Sequence, residues 1–169
     1  KKLIKNDKVE AIIILPRELF ITTDISVTMW ILNMNKKGGT YHGRKLRNRE
    51  KEILFMDLRQ WTENPVKGEQ SKKVLLSTEQ IERAAEIYHK WQSEGTDGAT
   101  YAVPELYKSV HFDEIKMNNF SLVPSRYIEF VDSFPMNAAG KILKYKMRQD
   151  AAQRLGLTGD GADTAGPGK

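Results

Sequence analysis

The densest group of chemistry-bearing side chains lies between residues 36 and 51, where Lys36, Lys37, Arg44, Lys45, Arg47, Arg49 and Lys51 face a single acid, Glu50. Cations in that number suit the phosphate backbone of nucleic acid, because each neutralised phosphate releases condensed counterions. Gly38, Gly39 and Gly43 give the run a permissive backbone, and Tyr41 and His42 add two rings. Lys36, Lys37, Arg44, Lys45, Arg47 and Arg49 are therefore the candidate nucleic-acid contacts. If these six each met a phosphate, log K on duplex DNA would fall against log salt with a slope of about -5. The same run also suits a hairpin tip kept soluble by its charge, and composition leaves both readings open.

Other chemistries find little to work with. The chain has no cysteine, hence no disulfide and no thiolate metal site, and its three histidines, His42, His89 and His111, are too scattered for a local ligand cluster. No metal is expected. The longest purely apolar run, Ala11 to Leu15, is far short of the roughly 20 residues that span a bilayer. The start Lys1-Lys2-Leu3-Ile4 carries neither an initiator Met nor the apolar stretch of a signal peptide. A cytoplasmic piece of a longer protein, with no membrane contact, is the expectation. With 169 residues, 40% hydrophobic and 29% charged, and a mean hydropathy of -0.54, the chain suits one globular domain on the polar side of average.

The elements that must position the basic run are legible in outline. Leu3-Ile4 ahead of Asn6-Asp7 reads as the last turn of a helix. Val9 to Leu15, closed by Pro16, reads as a strand covered on both faces, which belongs to a central sheet of an α/β protein. Ile25 to Met34 and Glu52 to Leu58 read as two further strands, expected to form a hairpin with the basic loop at its tip, in a mixed sheet. A polar loop follows over Asn64 to Lys73. Ser77, with Gln80 three residues on, predicts a capping box opening a helix from Thr78 to Trp91. Its buried face is expected at Ile81, Ala84, Ala85, Tyr88 and Trp91, with the two aromatics packing in the core rather than stacking on bases. Val103 to Leu106 is ambiguous, and Phe112 to Met117 predicts a short helix stopped by Asn118-Asn119.

The order Leu3-Ile4-Lys5-Asn6-Asp7, Val9-Glu10-Ala11-Ile12-Ile13, Leu15-Pro16, Leu19-Phe20, Trp30-Ile31-Leu32-Asn33 and Ile53-Leu54-Phe55-Met56-Asp57, continued by Ser77 to Trp91 and Phe120 to Tyr127, resembles the modification (methylase) subunit of type I restriction-modification systems. That family methylates the N6 amine of adenine in DNA with S-adenosylmethionine, alongside specificity and restriction subunits. The resemblance covers about residues 1–132 and implies the C-terminal part of a Rossmann-like methyltransferase sheet. Two family motifs have no match. Asn64-Pro65-Val66 lacks the second proline and the aromatic of the adenine-gripping motif, and Gly159-Asp160-Gly161 follows no apolar strand, as the cofactor loop would require. The chain alone is thus expected neither to bind S-adenosylmethionine nor to methylate.

A second resemblance lies in the tail. Phe130 to Arg148, with Pro135-x4-Gly140-Lys141 and then Lys144, Lys146 and Arg148, looks like the C-terminal end of acyl-CoA synthetases of the adenylate-forming superfamily. It implies for Lys141 a role in orienting a carboxylate and its adenylate, or as a target of lysine acylation. The nucleotide-binding domain that would present ATP has no counterpart here.

The combined expectation is an α/β methylase segment over 1–132, a synthetase-like segment over 133–157 and a glycine-rich disordered tail over 158–169. Because the strand Val9 to Leu15 has no earlier strand in this chain to flank it, one of its edges is expected to be bare and to drive self-association.

Overall fold

The computed structural model describes residues 1–20, 24–61 and 74–129, and residues Lys1–Phe130 form one compact unit. Helix α1 (Lys2–Lys5) ends at Asn6, and Asp7 takes a left-handed φ of 53° to turn the chain into β1 (Val9–Ile14). The next elements are β2 (Thr28–Leu32), β3 (Gly39–Tyr41), β4 (Arg44–Leu46) and β5 (Glu52–Asp57). After α2 (Thr78–Gln92) come β6 (Ala102–Val103), β7 (Tyr107–His111), α3 (Phe112–Met117) and a 3-10 turn at Pro124–Arg126.

Five strands form one mixed sheet in the order β2-β1-β5-β7-β6. β1 runs parallel to β5, and every other pairing is antiparallel. The sheet is mixed, as anticipated, but the expected hairpin between the second and third strands does not form. β1 lies between them, pairing Ile12 with Trp30 on one side and with Phe55 on the other. β3 and β4 instead make a separate two-stranded hairpin inside the basic run. β7 is not legible in the sequence, because Lys108 and His111 interrupt its apolar pattern.

Side-chain alternation splits the core into two layers. On one face Val9, Ile12, Ile53, Phe55 and Val110 pack against Ile4 of α1, Ile115 of α3, and Tyr127 and Ile128 after the 3-10 turn. On the other, Ala11, Ile13, Leu54 and Met56 pack against Ile87 and Trp91 of α2 and against Tyr101 and Tyr107. Val9 and Ile12 share a face only because the register shifts between Val9 and Ala11, a bulge at Glu10.

The predicted capping box of α2 is present: the Ser77 hydroxyl accepts from Gln80 N–H while the Gln80 side chain accepts from Ser77 N–H. The buried stripe differs from expectation. Ala84, Ile87, Tyr88 and Trp91 turn inward, whereas Ile81 and Ala85 are exposed, since the sheet lies under the C-terminal half of the helix.

The expected bare edge at β1 is likewise corrected: hydrogen bonds flank β1 on both sides, and its residues Val9 to Ile13 are buried. Exposure falls on β2 instead. Among the described residues no strand pairs with its outer side, and Met29, Trp30, Leu32 and the following Met34 are 44, 49, 54 and 80% exposed. An apolar strand edge of this kind is a template for pairing. In sedimentation equilibrium at micromolar concentration the chain is expected to self-associate, and Trp30→Lys to shift it toward monomer. A wild-type chain that stays monomeric would contradict this.

Candidate functional site

The basic run divides in two. Lys36, Arg47 and Arg49 point inward at the root of the β3–β4 hairpin, and Lys37, Arg44 and Lys45 stay outside. Lys36 is 3% exposed, and its ammonium donates to Asp7 Oδ1 and to the carbonyls of Val9 and Glu52. Arg47 forks onto Glu52, Nη1 to Oε1 at 3.1 Å and Nη2 to Oε2 at 2.7 Å, while its Nε donates to the Trp91 carbonyl. Arg49 is wholly buried, and its Nε donates to Glu10 Oε1 at 2.9 Å. Gln92 Nε2 from α2 donates to the same oxygen at 2.9 Å. Three cations counted as candidate phosphate contacts are thus engaged with internal carboxylates, for a buried charge is tolerated only when paired.

Trp91 stands at the centre of this arrangement. Its ring is fully buried, with the Arg47 guanidinium 5.2 Å and that of Arg49 6.0 Å from the ring centroid. Its Nε1 donates to Ser109 Oγ of β7, so one side chain joins α2, the hairpin root and the sheet. Tyr88, one turn earlier, lies beside the pair. Burial, and then the negative charge of Glu10, push its hydroxyl up from the usual phenol range. Both aromatics are core residues, as their helical spacing predicted.

Outside, β3 and β4 are joined by His42 and Gly43, both with left-handed φ (46° and 75°), the geometry of a two-residue hairpin turn. At the root, Gly38 has φ +89°, and a Cβ there would lie 2.6 Å from the Leu46 carbonyl oxygen, so no other residue fits without shifting backbone. Backbone bonds from Arg47 N–H to the Gln92 carbonyl and from Glu94 N–H to the Lys45 carbonyl tie β4 to the end of α2. Arg44 Nη2 reaches the His89 carbonyl at 3.5 Å, and Lys45 faces Glu94 at 3.5 Å with both side chains largely in solvent.

The carboxyl ends of the parallel pair β1 and β5 are where open α/β sheets place their ligands. Here β1 runs into Leu15 and Pro16, and Asp57 at the end of β5 is 3% exposed and held by the Arg59 guanidinium. Among the described residues a rigid proline follows β1 where a cofactor-cradling turn needs glycine, and Asp57 is already paired. These described residues do not fit S-adenosylmethionine. Among the described residues no group of acidic, histidine or cysteine side chains could hold a metal. Asn64, Pro65, Val66, Lys141 and the segments 133–157 and 158–169 lie outside the described residues.

Comparison with known proteins places this geometry. The N-6 DNA Methylase family profile matches residues 1–133. The chain belongs to that family. It is 36% identical over 132 residues to the type I restriction enzyme HindI methylase subunit of Haemophilus influenzae, a match covering 76% of this chain and 25% of the relative. With the MjaVIII methylase subunit of Methanocaldococcus jannaschii it shares 29% identity over 133 residues, 78% of this chain and 19% of the relative. The chain therefore spans a quarter or less of the length of these curated relatives. A crystal structure of a type I restriction-modification methyltransferase subunit from Streptococcus thermophilus superposes with a TM-score of 0.56 at 18% identity, covering 76% of this chain and 22% of that one. That likeness supports a shared fold. The methylase match stops short of Lys141.

Sequence reasoning missed the Glu10–Arg49 pair, although a signal was available: a glutamate inside an otherwise apolar central strand needs a cation. Leaving one buried ion without its partner costs about 3–5 kcal/mol. Arg49→Ala is therefore expected to lower unfolding stability by that order in urea titration, and the double substitution Glu10→Leu with Arg49→Met to lose much less. An Arg49→Ala variant as stable as wild type would contradict the assignment.

Proposed function

We propose that this chain serves as a sheet segment of a type I modification subunit that transfers a methyl group to the N6 amine of adenine in DNA. The observation that carries this reading is the family match over residues 1–133, which coincides with the sheet and its two core layers. S-adenosylmethionine would be bound by parts of a methylase subunit outside the residues described here. DNA and the specificity and restriction subunits would be the partners of the whole assembly.

Within that assembly the segment would contribute β1 and β5, covered by α2 on one face and by α1 and α3 on the other. The exposed side of β2, with Met29, Trp30 and Leu32, offers the rest of a subunit an apolar edge against which to continue the sheet or pack a helix. Methyl transfer requires sulfonium and amine to be aligned in one pocket, and among the described residues the side chains at the carboxyl ends of β1 and β5 assemble no such pocket. Scaffold and docking are the roles that the described residues support.

A chimera tests the reading. Residues 1–133, exchanged for the matching segment of the Haemophilus influenzae relative, are expected to preserve N6-methyladenine formation in DNA, while the chain by itself shows no micromolar affinity for S-adenosylmethionine in calorimetry. A chimera that unfolds cooperatively and binds S-adenosylmethionine yet leaves DNA unmethylated would overturn it. So would micromolar binding of the cofactor by the isolated chain.

A further inference from the structure

We propose that the exposed side of the β3–β4 hairpin, together with Lys37 just before it, is a contact surface for the phosphate backbone of nucleic acid, with Lys37, Arg44 and Lys45 as the cations and the Tyr41 ring as a platform for an unpaired base. The surface lies at the start of β1, away from the carboxyl ends where an α/β sheet places its small-molecule site.

Three observations carry the proposal. The first is the division of charge. With Lys36, Arg47 and Arg49 bound to Asp7, Glu52 and Glu10, the internal acids near the root are already paired, and the outer cations are not drawn inward. Lys45 faces Glu94 at 3.5 Å, with side chains 76% and 65% exposed. A pair so exposed contributes little and yields readily to a phosphate. The charge of Arg44 also reaches its surroundings. Burial, and then the Arg44 cation, hold the His89 imidazole below its usual range.

The second observation is rigidity. A mobile basic loop gives up conformational entropy on binding, whereas this hairpin is already ordered. Its strands pair from Gly39–Leu46 to Tyr41–Arg44, its turn has the two left-handed residues such a hairpin needs, and its root is fixed to β1, β5 and α2. The third is the tip itself. Tyr41 is 63% exposed and sits edge-on to His42, with ring centroids 4.3 Å apart, leaving an aromatic face in solvent beside the cations. Aromatics next to cations suit single strands, whose bases are free to stack.

The test compares two triple variants of the 169-residue chain that remove the same charge. One is Lys37→Ala, Arg44→Ala, Lys45→Ala. The other is Lys2→Ala, Lys116→Ala, Arg126→Ala, three exposed cations elsewhere on the unit. Fluorescence anisotropy with a short DNA duplex across a salt series is expected to give a slope of log K against log salt of about -3 for wild type and for the second variant, as three phosphate contacts require. The hairpin variant is expected to lose most of that slope while unfolding at the same urea concentration. Tyr41→Ala is expected to weaken single-stranded DNA about fivefold or more and to leave the duplex unchanged. Salt-independent binding, or equal losses in both triple variants, would overturn the phosphate surface. A Tyr41→Ala variant with unaltered single-strand affinity would overturn the stacking platform.

Discussion

A carboxylate and a guanidinium that are both withdrawn from water must meet, and much of this fold is arranged so that Glu10 and Arg49 do. Glu10 reaches the α2 side of the sheet through a bulge in β1, and the same bulge brings Val9 onto the face of Ile12. Arg49 arrives from the end of the basic run, under Trp91, and Gln92 closes the cluster from α2. The geometry is incomplete. Glu10 Oε2 and Arg49 Nη2 have no hydrogen-bond partner, so the pair's net stabilisation is small beside the cost of breaking it. In the observed register of the hairpin, β3 and β4 pair from Gly39–Leu46 to Tyr41–Arg44 and Arg49 is the cation that meets Glu10.

Two further ion pairs extend the constraint. Asp7, in its left-handed turn, accepts from Lys36 and from Lys51 N–H, fixing both ends of the hairpin segment. Arg47 binds Glu52 at the start of β5, and Ser109 Oγ of β7 donates to that same carboxylate. A segment whose composition resembles a solvated loop is therefore sewn into the sheet by Lys36, Arg47 and Arg49, while Lys37, Lys45 and Lys51 stay exposed and Arg44 half-buried. The basic run lies within the residues that the methylase family profile matches.

What could be seen in the sequence followed from local physics. Ala11 to Leu15 announces a buried strand because no polar face interrupts it, and Ser77 with Gln80 announces a helix start because four free N–H groups need acceptors. The packed stripe of α2 was legible in period but not in phase, since Ile81 and Ile87 are equally apolar and only the reach of the sheet decides between them. Strand partners were not legible. Whether β2 pairs with β1 or with β5 is a long-range choice that periodicity does not encode. Burial of Lys36, Arg47 and Arg49 was equally hidden, because a cation count is blind to the acids that the fold brings near. The capping box, being four residues long, needs no such knowledge.

Amide-resolved hydrogen exchange tests most directly the central claim that the hairpin root is part of the core. The Arg47 amide donates to the Gln92 carbonyl and the Arg49 amide to the Lys36 carbonyl. Both are expected to exchange only through the opening that exposes β1 and β5, with protection matching that of Ile12 and Phe55. If the Arg47 and Arg49 amides exchange near the unprotected rate while β1 stays protected, the run is an independent basic loop, and the ion-pair account of this fold is wrong.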